Sequence, residues 1–68
     1  MNQKLLVDEV KRASPPKNIA ELVGISTATW YNKLSGASQW RVEELVNLAH
    51  ALRWSKETLL NIMDFKEV

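Results

Sequence analysis

Four strong helix breakers punctuate this sequence: Pro15 and Pro16 side by side, then Gly24 and Gly36. Between them the apolar residues recur every three to four positions, and no strand-type alternation competes with that period. Leu6, Val10 and Ala13, with Val7 beside them, predict a helix over about 2–13 that the proline pair stops. Ser14 is placed to cap a second helix, with Pro15 at its first position, where a missing N–H costs nothing. Ile19, Ala20 and Val23 form one face of that helix, and Gly24 ends it in the left-handed conformation. Ser26 caps a third helix over 27–34 with Trp30 and Leu34 inward, and 35–39 reads as a loop. Val42, Leu45, Val46, Ala49 and Leu52 mark a fourth helix. Ser55 caps a fifth over about 56–63, where Leu59, Ile62 and Met63 are apolar. The expected fold class is all-α, one compact five-helix domain spanning 1–68.

Length sharpens that expectation. At 68 residues the chain holds one domain, and a domain of this size buries only about 60% of its unfolded surface. It has no cysteine and one histidine, His50, so disulfides, thiolate–zinc sites and a histidine-built metal site are excluded as braces. Tight helix packing, helped by oligomerisation, is what remains. With 46% hydrophobic and 25% charged residues the composition is that of a soluble globular domain. No apolar run approaches membrane-spanning length and no signal peptide is visible, so the expected location is cytoplasmic with no membrane partner. Net charge is +1, unevenly spread: residues 1–41 carry +3 and residues 42–68 carry −2.

The informative stretch runs from Asn18 to Gly36. Two short helices joined by a tight glycine-centred turn make a helix-turn-helix. Its helices cross closely, so a small residue must lie between them, and Ala20 supplies it. Gly24, four residues on, reverses the chain. Ile25 plugs the core under the turn, Ser26 starts the second helix, and Trp30 anchors that helix from beneath. A helix held this way presents Thr27, Ala28, Tyr31 and Asn32 outward, the face that such a motif lays in a DNA major groove.

These residues resemble the helix-turn-helix domains of phage Cro and CI repressors and of bacterial XRE-type regulators, the lambda-repressor-like DNA-binding fold. The resemblance covers about 16–61. Ala20, Gly24 and Trp30 meet the family's small-residue, glycine and anchor positions, and Gly36 its glycine after the recognition helix. Leu45, Leu48, Ala49, Ala51 and Leu52 are similar to its fourth-helix ending, and Ser55 with Leu59, Leu60 and Asn61 to its fifth-helix start. The resemblance implies that 27–34 is the recognition helix, with Thr27, Ala28, Tyr31 and Asn32 base-facing. It implies phosphate-facing roles for Lys17, Asn18, Ser38, Gln39 and Arg41. Two positions depart from the family. Pro16 stands where a phosphate-binding glutamine is common, and Lys33 where a second aliphatic is common. Some phage regulators carry Lys-Leu there, leaving Leu34 for packing.

Each residue also has a plainer reading. Trp30 is a core anchor rather than a DNA contact, and Trp40 a lid on the core. Trp54 fits internal packing or a dimer interface equally. No acidic residue occurs between Thr27 and Val42, so Lys33 and Arg41 are expected to face phosphate with Lys17. His50 has no assigned role. The adjacent carboxylates Asp8–Glu9 and Glu43–Glu44 diverge by about 100° on a helix and are expected to be solvated. No triad, phosphate loop or metal cluster is present, so no enzyme activity and no cofactor are expected.

The function expected is that of a Cro-like repressor of phage or prophage origin. It would be a transcriptional regulator binding a pseudo-palindromic double-stranded DNA operator and acting by operator occupancy. The larger repressors of the family carry a further C-terminal domain that this sequence lacks, which favours the Cro-like form. A weak homodimer, firm on DNA, is expected through Trp54, Leu60, Met63 and Phe65. The rival from another class is a helix-turn-helix protein-interaction module, an antirepressor or corepressor that binds a partner regulator.

Overall fold

A computed structural model describes residues 1–64. Five helices follow one another: α1 (Gln3–Ala13), α2 (Ile19–Val23), α3 (Thr27–Leu34), α4 (Val42–Leu52) and α5 (Lys56–Met63). There is no strand among the described residues. Local chemistry sets most of the boundaries. Asn2 Oδ1 accepts the Leu5 N–H at 3.0 Å and starts α1. The Ser26 and Ser55 hydroxyls each accept the N–H three residues on, at 3.1 Å, and so start α3 and α5. Gly24 closes α2 at φ 90°, with its own N–H and that of Ile25 both returning to the Ala20 carbonyl at 2.9 Å.

The expectation for the start of α2 fails. Ser14 does not cap it; at φ 49° it ends α1, donating its N–H to the Lys11 carbonyl at 3.3 Å. Pro15 is not the first helical residue either, since α2 begins at Ile19 with Asn18 before it. The reason is steric. A residue preceding proline is pushed out of the α region, and Pro15, expected at the first helical position, precedes Pro16. The helix therefore waits until Pro16 is passed, and a turn from the Ile19 N–H to the Pro16 carbonyl (3.1 Å) leads into it.

Leu6, Leu48 and Ile62 are fully buried at the centre, ringed by Val10, Ile19, Ala20, Val23, Trp30 and Leu45. α2 packs on α3 and α4, while α5 packs on α1 and α4. Ala20 is buried, as the close packing of α2 requires. Ile25 and Leu34 are half-buried against this core, as are Trp54 and Met63. Trp40 closes over Trp30 edge-to-face, with ring centroids 5.8 Å apart. Val42 and Val46, which mark α4 as apolar in the sequence, turn outward instead: Val42 is 61% and Val46 37% exposed. No helix among the described residues is long and apolar enough to cross a membrane.

Candidate nucleic-acid interface

α3 has one inward and one outward side. Trp30 is buried beneath it. Thr29 is half-buried, its hydroxyl bonded to Ser26 Oγ at 2.8 Å. Thr27, Ala28, Tyr31 and Asn32 are all exposed, Tyr31 at 64% of its surface. These are the four residues that the sequence placed outward. Asn32 also fastens the chain behind it through its carbonyl, which accepts the Ala37 N–H at 2.9 Å and the Ser38 N–H at 3.2 Å. The side-chain amide of Asn32 thus projects from a helix end that is itself held.

Around this face, Lys17 and Asn18 are exposed just before α2, and Gln39 and Arg41 are exposed just before α4. Ser38 is half-buried in the same loop. Trp54, Leu60 and Met63, the described members of the expected dimer surface, are half-buried, two of them against the core; Phe65 lies outside the described residues.

Lys33 does not face outward. It is buried, and its ammonium donates to the Gln39 carbonyl at 2.6 Å and to Glu44 Oε1 at 2.7 Å. The same ammonium stands 5.7 Å from the centre of the Trp40 ring. Three partners and a buried position explain the difference: a cation so held is unavailable to a phosphate. Lys33 therefore fills the packing position behind α3 where an aliphatic residue was expected, and Leu34 is half-buried beside it.

Glu44 is correspondingly not a solvated carboxylate. Its side chain is 13% exposed, and Oε1 also accepts the Arg41 N–H at 2.7 Å, capping the start of α4. Burial pushes this carboxyl up. The Lys33 and Arg41 hydrogen bonds and the charges of both residues outweigh burial and hold it below its ordinary value. Glu9 is likewise half-buried and lies 3.7 Å from Arg12.

Two residues to which the sequence reading gave no such role thus fix α3 from behind. Glu44 could have been found from its place three residues after Arg41, where a glutamate reaches back to a helix start. Gln3 carried no such signal. Its amide donates to the Lys33 carbonyl at 2.9 Å and the Leu34 carbonyl at 2.8 Å, across thirty residues of sequence. It adds to the Gly36 N–H on the Lys33 carbonyl and reaches the Leu34 carbonyl as well, so α1 clamps the far end of the exposed helix.

The family model described as the BetR domain matches residues 2–68. No curated protein and no solved structure matches the chain.

Proposed function

The chain belongs to the BetR domain family, and from that premise we propose that it is a sequence-specific double-stranded DNA-binding regulator of transcription. Within this proposal α2, its turn and α3 act as a helix-turn-helix of the Cro/CI and XRE type. One observation carries the reading: Thr27, Ala28, Tyr31 and Asn32 stand exposed together on an α3 that is capped at one end, clamped at the other and anchored by Trp30 beneath.

That arrangement suits a major groove, which admits a single helix and displays a distinct pattern for each base pair. Base edges are read by Thr27, Ala28, Tyr31 and Asn32. Lys17, Asn18, Ser38, Gln39 and Arg41 hold the DNA backbone and set the docking angle. One helix reads only a few base pairs, so the working form is a homodimer on a pseudo-palindromic operator, weak alone and firm on DNA. Occupying the operator then excludes RNA polymerase, as in a Cro-like repressor of phage or prophage origin acting in the cytoplasm.

Selection of bound DNA from a random duplex pool tests the reading. A recurrent sequence with two-fold symmetry is the expected result, and recovery of unenriched DNA overturns it. Loss of Lys33 from the cationic face favours a second reading, in which α3 docks on a partner regulator protein. Retention on heparin or random DNA at low salt separates the two, because only a phosphate binder is held and then released by salt.

A further inference from the structure

Helix α4 carries an unused side. Glu43, Val46 and His50 recur at three- and four-residue spacing along it, and Arg53 caps its end in the left-handed conformation; all four are exposed. Shallow depressions flank this stripe. One is walled by Leu22 of α2, itself 49% exposed, and the other by Leu59 of α5. The stripe is acidic where α4 begins and basic where it ends. Glu43 and Arg53 have no ion-pair partner among the described residues, whereas the neighbouring Glu44 is engaged by Lys33.

We infer that this stripe is a self-association surface, and that its occupant is the α4 stripe of a second copy of the chain lying antiparallel about a two-fold axis. The charge order decides both the occupant and the direction. Antiparallel stripes set Glu43 against Arg53 of the second copy at each end, with Val46 against His50 of the second copy between them. Parallel stripes would set Glu43 on Glu43 and Arg53 on Arg53. The antiparallel arrangement also opposes the two helix dipoles. Leu22 from each copy covers the flank. An eleven-residue helix is only about 16 Å long, so the contact falls short of the roughly 1,200–2,000 Å² of a stable interface. The pair is therefore weak and concentration-dependent. This surface is distinct from α3, and it is tested without DNA, so its failure and that of the operator reading are separable.

Sedimentation equilibrium of the full chain at low salt, over rising concentration, reads the association. A reversible dimer is expected. Glu43→Arg and Arg53→Glu each weaken it about tenfold, since each reversal repels at both ends of the pair, and combining them restores it. A chain monomeric at every concentration, or a double variant no better than either single one, overturns the proposal. A second measurement stands apart from charge. The chain has no cysteine, so V46C and H50C can be mixed in equal amounts and oxidised. Antiparallel pairing in this register gives mostly the mixed disulfide. Random pairing, or a preference for V46C joined to itself, overturns it.

Discussion

Lys33 and Glu44 meet at 2.7 Å behind the exposed face of α3, with side chains only 7% and 13% exposed. That contact joins the last turn of α3 to the first turn of α4. Through the Arg41 N–H and the Gln39 carbonyl it also pins the loop between them. The position of α3 is thus set from four directions: Ser26 at its start, Trp30 below, Gln3 at its end and the Lys33–Glu44 pair behind.

Removing one half of this pair strands the other. Glu44→Ala leaves a buried ammonium with only the Gln39 carbonyl and the Trp40 ring for partners, which costs about 3 kcal/mol, a large share of the roughly 5 kcal/mol expected of so small a domain. Lys33→Met costs less, about 1 kcal/mol, because an apolar chain of similar length suits the slot and Glu44 keeps its bond to the Arg41 N–H. Urea unfolding of both single variants and the double variant measures the coupling. Losses that simply add would show the pair to be incidental.

The same pair sets the response to acid. The Glu44 carboxyl is held below its ordinary value of 4.5 in the folded protein. A depressed carboxyl contributes stability that is present above its unfolded pKa and is lost as pH falls through the folded one. Stability should therefore decline below about pH 4.5, and Glu44→Gln should flatten that acid limb while lowering stability at neutral pH. An acid limb of unchanged slope in the Gln variant would remove Glu44 as its source.

Salt dependence distinguishes the exposed cations from the buried one. Each phosphate neutralised on duplex DNA contributes about −0.9 to the slope of log affinity against log salt. Lys17 and Arg41 are the exposed cations flanking α3, so two copies give a slope of about −4. Arg41→Ala should make that slope shallower by about 2 for the pair and weaken all sequences alike. Lys33→Met should leave the slope unchanged. A shallower slope in the Lys33 variant would return this side chain to the phosphate surface.

Where the sequence was legible, the determinant was local. Ser26, Gly24 and Ser55 act within three or four residues of themselves, and each does what its type and place suggest. Ser14 and Pro15 misled because capping propensity was weighed without the restriction that Pro16 imposes on Pro15. The outward turn of Val42 and Val46 was illegible because α4 is apolar around most of its circumference, so pattern identifies the helix but not its buried side. Lys33 was misplaced because its burial depends on Glu44, eleven residues on, and on a main-chain carbonyl of the loop. Gln3 acts across thirty residues, beyond any window of periodicity.

Gly24 isolates a backbone cost from a packing cost. Its φ of 90° is unfavourable for any side chain, yet an added Cβ would meet nothing within 4 Å. Gly24→Ala should therefore lose about 1 kcal/mol from conformation alone. Gly24→Asn should lose less, because asparagine tolerates left-handed backbone. Ala20→Leu differs in kind: Ala20 is buried where α2 packs, and overpacking there costs about 1–3 kcal/mol. Thermal melts of the three variants order them. If the Asn variant fell furthest, the turn would be limited by space rather than by backbone.

Asn32 should set base preference. An asparagine amide donates and accepts at once, matching the N6 and N7 edge of adenine, and a good bidentate pair discriminates by about 1–3 kcal/mol. The exposed Asn32 side chain lies on the last turns of α3, next to the exposed Tyr31, and contact of that ring with a thymine methyl is the expected companion. Its carbonyl meanwhile anchors Ala37 and Ser38, a bond that any residue at this position can make. Asn32→Ala should therefore keep the loop and the melting temperature while relaxing selection at one base position in each half-site. Tyr31→Ala should lower affinity with a milder change at the neighbouring position. An unchanged selected sequence for Asn32→Ala would move base reading elsewhere on α3, to Thr27 and Ala28.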